Sequence, residues 1–279
     1  MKLINTYLFE VKHQPIEIKW FKNALSLFIL YKVCVYIYLF PELFSEHKFI
    51  YLSNKHVNFL IDTSFFLSNN YSPLLGICMI SILGLFSILE IINKSYYIFR
   101  FLQWVIILNL NNFLYPTLTG GDFLLNQLMF FNIFLTNKNF KSSVFNELSN
   151  VIHNLALIGI KTQICLVYLL AAWFKLTNVS WLNGSAIYNI FQIPEYSNTI
   201  FYSLPKWFCT ISTFIVLAYQ LSFCILVWIR PLKKYILALG LFQHLVIAFG
   251  MGLFSFGIIM IICYILFLNY DYKSQKVLA

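Results

Sequence analysis

Apolar stretches of about twenty residues recur along the whole of this 279-residue chain. The run PLLGICMISILGLFSILEII, residues 73–92, carries one acidic residue near its end and no other charge. A run of that length matches a helix crossing a hydrocarbon core roughly 30 Å thick. Backbone amides and carbonyls at that depth have no water to bond, so a spanning segment must satisfy them within itself, as a helix does. The two-residue alternation of an outer-membrane barrel is missing. With 60% hydrophobic and only 10% charged residues, the expected fold is all-α, a polytopic membrane helix bundle whose first partner is the lipid bilayer.

Eight spans are expected, at roughly 20–41, 73–92, 97–116, 122–137, 152–176, 207–229, 232–250 and 252–270. The last two are separated only by Gly250-Met251-Gly252, which keeps a seven-span arrangement open. With the N-terminus inside, fourteen of the nineteen Lys and Arg residues fall in segments on the cytoplasmic side. Lys48, Lys55 and Lys206 fall outside, and Lys32 and Lys175 lie within spans. Lys and Arg are retained on the cytoplasmic side, so both termini are expected there. The same retention accounts for the formal net charge of +9 without a nucleic-acid partner. The six cysteines are dispersed through apolar runs with no metal spacing. No metal is expected.

The organisation expected is an interfacial amphipathic segment over 1–19 and a transmembrane bundle over 20–272, with outer loops at 42–72 and 177–206. Leu3, Ile4, Tyr7, Leu8 and Val11 share a helical face up to the break at Gln14-Pro15. The first twenty residues are too polar for a signal-peptide core.

Ionisable groups inside a bilayer are costly and mark candidate sites. Lys175 ends the fifth span, and Tyr168 lies seven residues earlier on the same helical face, with Ala171 and Ala172 between them. Small residues there admit a close neighbour or a ligand. The plainer reading is a lysine snorkelling to the interface. His244 lies midway along the seventh span, where a neutral imidazole can exchange a proton near neutral pH or simply bond across helices. Gln163 and Gln220 are further polar groups of that kind. Glu90 and Lys94 are spaced for an i,i+4 pair. Asn109, Asn111 and Asn112 end the third span, Gly120-Gly121 suits a tight turn, and Asp122 suits a cap for the fourth helix. Asp122 and the asparagines share the outer side with Lys175. Signatures of metalloproteases, serine hydrolases and phosphate-binding loops are missing. Polar residues in several spans could line a transport path, and pairing within the bundle explains them equally well.

The stretch Gln163–Gly184, QICLVYLLAAWFKLTNVSWLNG, resembles the HTTM family, membrane proteins related to the membrane region of vitamin K-dependent gamma-glutamyl carboxylase. Gln163, Tyr168, Ala171, Ala172, Lys175, Leu176, Trp181 and Gly184 carry the resemblance. GGDFLLNQLMFFNIFL and HLVIAFGMGLFSFGIIM support it in order. The resemblance implies that Lys175 is a base toward a reduced quinone, with His244 as a second catalytic group. Tyr168, Asp122, Asn109, Asn112, Trp181 and Gln163 would then contact substrate. The implied activity is carboxylase-like or quinol-oxidising, and a lysine acting as base needs apolar surroundings that disfavour its charged form. The carboxylases add a large soluble region that presents glutamates, and a chain of this length is not expected to hold one. Short bacterial members of the family include one that matures a secreted peptide toxin beside a partner protein. The alternative expectation is therefore a non-catalytic component of the bacterial inner membrane that acts with a secreted-peptide precursor and a neighbouring membrane protein.

The topology is testable with reporter fusions. Fusions at residue 1 and after residue 279 should both report a cytoplasmic location; a C-terminal fusion active only outside would establish seven spans.

Overall fold

A computed structural model describes residues 14–44, 73–114, 117–136, 142–197 and 199–268. Residues 1–13 of the segment expected to be interfacial over 1–19, most of the loop 42–72, and residues 269–279 lie outside the described residues. Among the described residues there is no strand. Eight principal helices follow in order: α1 (Pro15–Tyr38), α2 (Pro73–Ile91), α3 (Tyr97–Phe113), α4 (Gly120–Phe134), α5 (Ser143–Leu176), α6 (Lys206–Leu226), α7 (Arg230–Leu245) and α8 (Phe254–Tyr264). Among the described residues five segments are long and apolar enough to cross a membrane: Pro15–Tyr38, Pro73–Ile91, Val144–Leu176, Lys206–Leu226 and Arg230–Gly250. The shorter α3, α4 and α8 occupy the remaining expected positions.

Large apolar side chains are exposed on many helices, and ionisable groups are buried among the apolar core residues. Trp173, Phe174, Trp207 and Ile225 are all more than 60% exposed, whereas Glu17, Glu90, Asp122, His153 and His244 are buried. Apolar side chains facing outward over polar ones facing inward suit a lipid solvent.

Local signals set the helix ends. α1 starts where Pro15 can occupy the first helical position without wasting an N–H, and Gln14 turns the chain with φ 55°. α4 starts at Gly120, so the glycine pair forms its first turn instead of a separate one. Asp122 Oδ2 accepts the Thr119 N–H and the Thr119 hydroxyl, each at 2.8 Å, which completes a capping box. α5 begins about nine residues before the expected span at 152. The expected outer loop over 177–206 is largely short helical turns, at Val179–Leu182, Ala186–Phe191, Pro194–Tyr196 and Thr199–Tyr202.

The chain divides into two compact units between Leu157 and Ile158, within α5. In the first unit α1 packs on α2, α2 on α3 and α3 on α4, and polar contacts join these helices at two levels. At one, Arg100 Nε donates to Glu90 Oε2 at 2.9 Å, and Arg100 Nη1 donates to the Leu135 carbonyl at 2.6 Å. Lys22 Nζ donates to the same carbonyl at 2.8 Å and stands 3.8 Å from Glu90 Oε1. At the other, Lys32 pairs with Asp122, and Asn111 Nδ2 donates to the Asp122 carbonyl at 3.2 Å. Lys22 and Lys32 are ten residues apart on α1, or about 15 Å of helix. The pairing expected between Glu90 and Lys94 does not form. Asn93 enters the left-handed region with φ 57°, the helix ends, and Lys94 is exposed. Glu90 turns inward to Arg100, whose planar fork can serve a carboxylate and a carbonyl together. Lys22, Arg100 and Lys161, counted among the cytoplasmic segments from charge bias, are buried helical residues.

In the second unit α6, α7 and α8 pack in sequence. α7 runs into a π-helical stretch at Val246–Gly250, and Gly252, with φ 71°, reverses the chain into α8.

Breaking a buried ion pair strands its remaining charge. Lys32→Met or Asp122→Asn alone should each cost about 3–5 kcal/mol, read by unfolding of the detergent-purified chain. The double variant should recover most of that loss because Asn still caps α4. Additive losses would show the pair to be uncoupled.

Candidate functional site

The second unit brings Tyr168 and His244 together. Tyr168 Oη lies 2.6 Å from His244 Nε2 and contacts the Tyr264 hydroxyl. Tyr219 Oη stands 2.9 Å from Tyr264 Oη and 3.5 Å from Tyr168 Oη. Four helices thus contribute one group each to a buried cluster: Tyr168 from α5, Tyr219 from α6, His244 from α7 and Tyr264 from α8. Phe223 packs on the Tyr168 ring at 4.1 Å between centroids.

Three hydroxyl protons can be passed in a row: Tyr219 to Tyr264, Tyr264 to Tyr168, and Tyr168 to His244 Nε2. A neutral His244 would then carry its proton on Nδ1. If Nε2 instead donates to Tyr168, Nδ1 is an acceptor. In either arrangement Nδ1 is buried and has no hydrogen-bond partner among the described residues. An orphaned ring nitrogen at the end of a hydroxyl row is a feature that buried polar networks ordinarily avoid.

Two glycines let the helices close around this cluster. A Cβ at Gly240 would collide with the Tyr219 and Tyr264 hydroxyls, and one at Gly257 would collide with the backbone of His244 and Ala248. The π-helical stretch begins two residues after His244, with Met251 N–H bonding the Val246 carbonyl at 3.1 Å. Such irregular turns recur at functional sites.

Lys175 stands apart from the cluster, about 10 Å further along α5 by helical rise from Tyr168. Its ammonium lies 4.8 Å from the centre of the Trp181 ring, a geometry in which the indole face attracts a cation. The segment after α5 creates this contact. Asn178 Oδ1 accepts the Ser180 N–H at 2.9 Å and starts the short turn that holds Trp181. Gly184 then takes φ 77°, and a Cβ there would meet Thr210 Cγ2 at 2.7 Å and the Phe214 ring at 2.9 Å. The half-buried Lys175 is flanked by exposed Trp173 and Phe174. Gln163 lies on α5, half-buried, five residues before Tyr168.

The other sequence candidates lie in the first unit. Asp122 serves Lys32 and its own helix cap. Asn109 Nδ2 donates to the Val105 carbonyl at 2.8 Å, while its buried Oδ1 has no partner among the described residues. Asn112 is half-buried. The structure thus brings together Tyr168 with His244, and Lys175 with Trp181. Sequence reasoning missed Tyr219, Tyr264 and the partnership of Lys32 with Asp122. Tyrosines are so frequent here, eighteen in all, that no spacing distinguished these two. Among the described residues no three His, Cys, Asp or Glu side chains gather as metal ligands, and the six cysteines are free thiols.

Over 118 residues the chain is 34% identical to the sporulation-delaying protein SdpB of Bacillus subtilis (strain 168). That match takes in 39% of this chain and 36% of the relative, so the chain spans little more than a third of the protein it matches. No protein-family profile matches the chain, and no solved structure matches it.

Tyr168 is the hub of the cluster. Tyr168→Phe should lower the unfolding free energy by about 1–3 kcal/mol by stranding its partners. Tyr235→Phe, at an exposed tyrosine, should leave it unchanged. Equal midpoints for both variants in detergent would remove the cluster from the stabilising interactions.

Proposed function

We infer that this chain is an HTTM-like component of a bacterial cell membrane that helps mature or export a secreted peptide. It crosses the bilayer eight times with both termini in the cytoplasm, and works with the peptide precursor and a neighbouring membrane protein. The observation that carries this reading is the partial identity with a bacterial sporulation-delaying protein. That name speaks of an effect on a cell's developmental course and not of carboxylation. The geometry is consistent with it. The hydroxyl cluster is closed off within its unit, and Lys175 faces an indole without a carboxylate partner among the described residues.

A second reading keeps the chemistry. On it, Lys175 is the base of a carboxylase-like or quinol-oxidising enzyme, and its half-buried position against an aromatic ring favours this reading. Trp181 sets its indole 4.8 Å from the ammonium, where a flat, lipid-soluble reduced quinone could stack. Such a quinol would supply reducing equivalents and an acidic hydroxyl. Lys175 would accept the hydroxyl proton through Nζ, and Trp181 would fix the position of that nitrogen. A lysine serves as base only in its neutral form.

One pair of assays separates the readings. Cells carrying Lys175→Met should mature and export the peptide like the parent if the chain is a non-catalytic component. If Lys175 is the base, the purified parent chain in lipid should consume vitamin K hydroquinone in the presence of oxygen, and Lys175→Met should lose at least about a hundred-fold in rate, the lower end of what a general base supplies. No consumption by the parent would eliminate the second reading.

A further inference from the structure

The first unit holds a chamber of about 190 Å³ at the junction of α1, α2 and α3. One water needs only about 10–15 Å³ of such space, so the chamber has room for a polyatomic group. Its charged lining is Lys19, Lys22 and Arg100 against a single carboxylate, Glu90. Asn23 and Ser95 add neutral donors.

Glu90 is already engaged. It receives Arg100 Nε at 2.9 Å and stands 3.8 Å from Lys22 Nζ, so it cannot fully offset three cations. The Leu135 carbonyl takes one donor from Arg100 and one from Lys22, but a carbonyl carries no formal charge. Arg100 Nη2 has no acceptor among the described residues. The Ser95 hydroxyl is 4% exposed and lies within reach of the Glu90 carboxylate. A chamber lined by three cations and one carboxylate, with a hydroxyl in its wall, presents donors to an anion. The left-handed turn at Asn93 brings Ser95 to the chamber wall.

We propose that this chamber binds a phosphate group, either as a free ion or on a phospholipid headgroup. The three cations would neutralise its charge, and Ser95 and Asn23 would donate to its oxygens. Arg100 suits the role because its fork can hold Glu90 on one edge and a phosphate oxygen on another. Basic pockets between helix ends at a membrane surface are suited to lipid headgroups. This site is separate from the Tyr168–His244 cluster and from Lys175, and it stands whichever functional reading holds.

The test is a melting experiment on the full chain in a nonionic detergent, with sodium phosphate and a phosphatidic acid as separate probes. Sodium chloride at matched ionic strength and diacylglycerol are the respective controls. The melting temperature should rise with at least one phosphate-bearing probe and not with its control. A response to phosphate identifies a free-ion site, and a response to phosphatidic acid alone identifies a headgroup site. In Lys19→Gln/Ser95→Ala the half-saturating concentration should rise at least about ten-fold, the equivalent of one lost charge-assisted hydrogen bond. Lys19 is exposed, and the contacts of Glu90 with Arg100 and Lys22 do not involve Ser95, so this variant keeps them. Shifts no larger than those of the controls, or unchanged half-saturation in the double variant, would overturn the proposal.

Discussion

Charges carried into an apolar bundle need partners within it, and that constraint organises the first half of this protein. Glu90 ends α2, Arg100 opens α3, Lys22 lies near the start of α1, and the Leu135 carbonyl closes α4. Each group is costly alone and tolerable in company. The second level, Lys32 with Asp122, ties the far part of α1 to the first turn of α4, where the helix dipole also favours a carboxylate. Lipid tails are as apolar as leucine, so burial of apolar area supplies little drive for helices to associate in a bilayer. Contacts of this kind, with tight packing, are what fix their neighbours.

The second unit solves the same problem with hydroxyls in place of ions. Tyr168, Tyr219 and Tyr264 share protons among themselves and with His244. Phenol rings keep most of their surface apolar, so such a cluster can be deeply buried at less cost than an ion pair. Gly240 and Gly257 make room for the helices to approach. The network leaves His244 Nδ1 unmatched.

Most of the helical layout was legible in the sequence because length and apolarity are properties of a segment alone. The cap at Asp122 was legible for the same reason, since capping is settled within four residues, whereas Pro15, read as the break that ends an interfacial helix, instead opens α1. Pairing was much less so. Glu90 and Lys94 satisfy the helical spacing rule, but α2 ends between them and the carboxylate turns to Arg100. Lys175 drew attention as a cation at the end of a span. Lys32, equally isolated in sequence, turned out to hold the ion pair. Nothing in the residues around either lysine distinguishes an indole partner from a carboxylate.

The sequence by itself determined an all-helical chain with segments apolar enough to cross a membrane, because hydrocarbon forces each such segment to satisfy its own backbone. It also marked Tyr168, His244, Lys175 and Trp181 as residues of interest. Tertiary structure alone decided that Tyr168 meets His244 across 76 positions of chain, that Tyr219 and Tyr264 complete their network, and that Lys175 lies against Trp181 instead of joining it. Those outcomes depend on which helix faces meet, and that follows from the small residues and buried charges of several segments acting together.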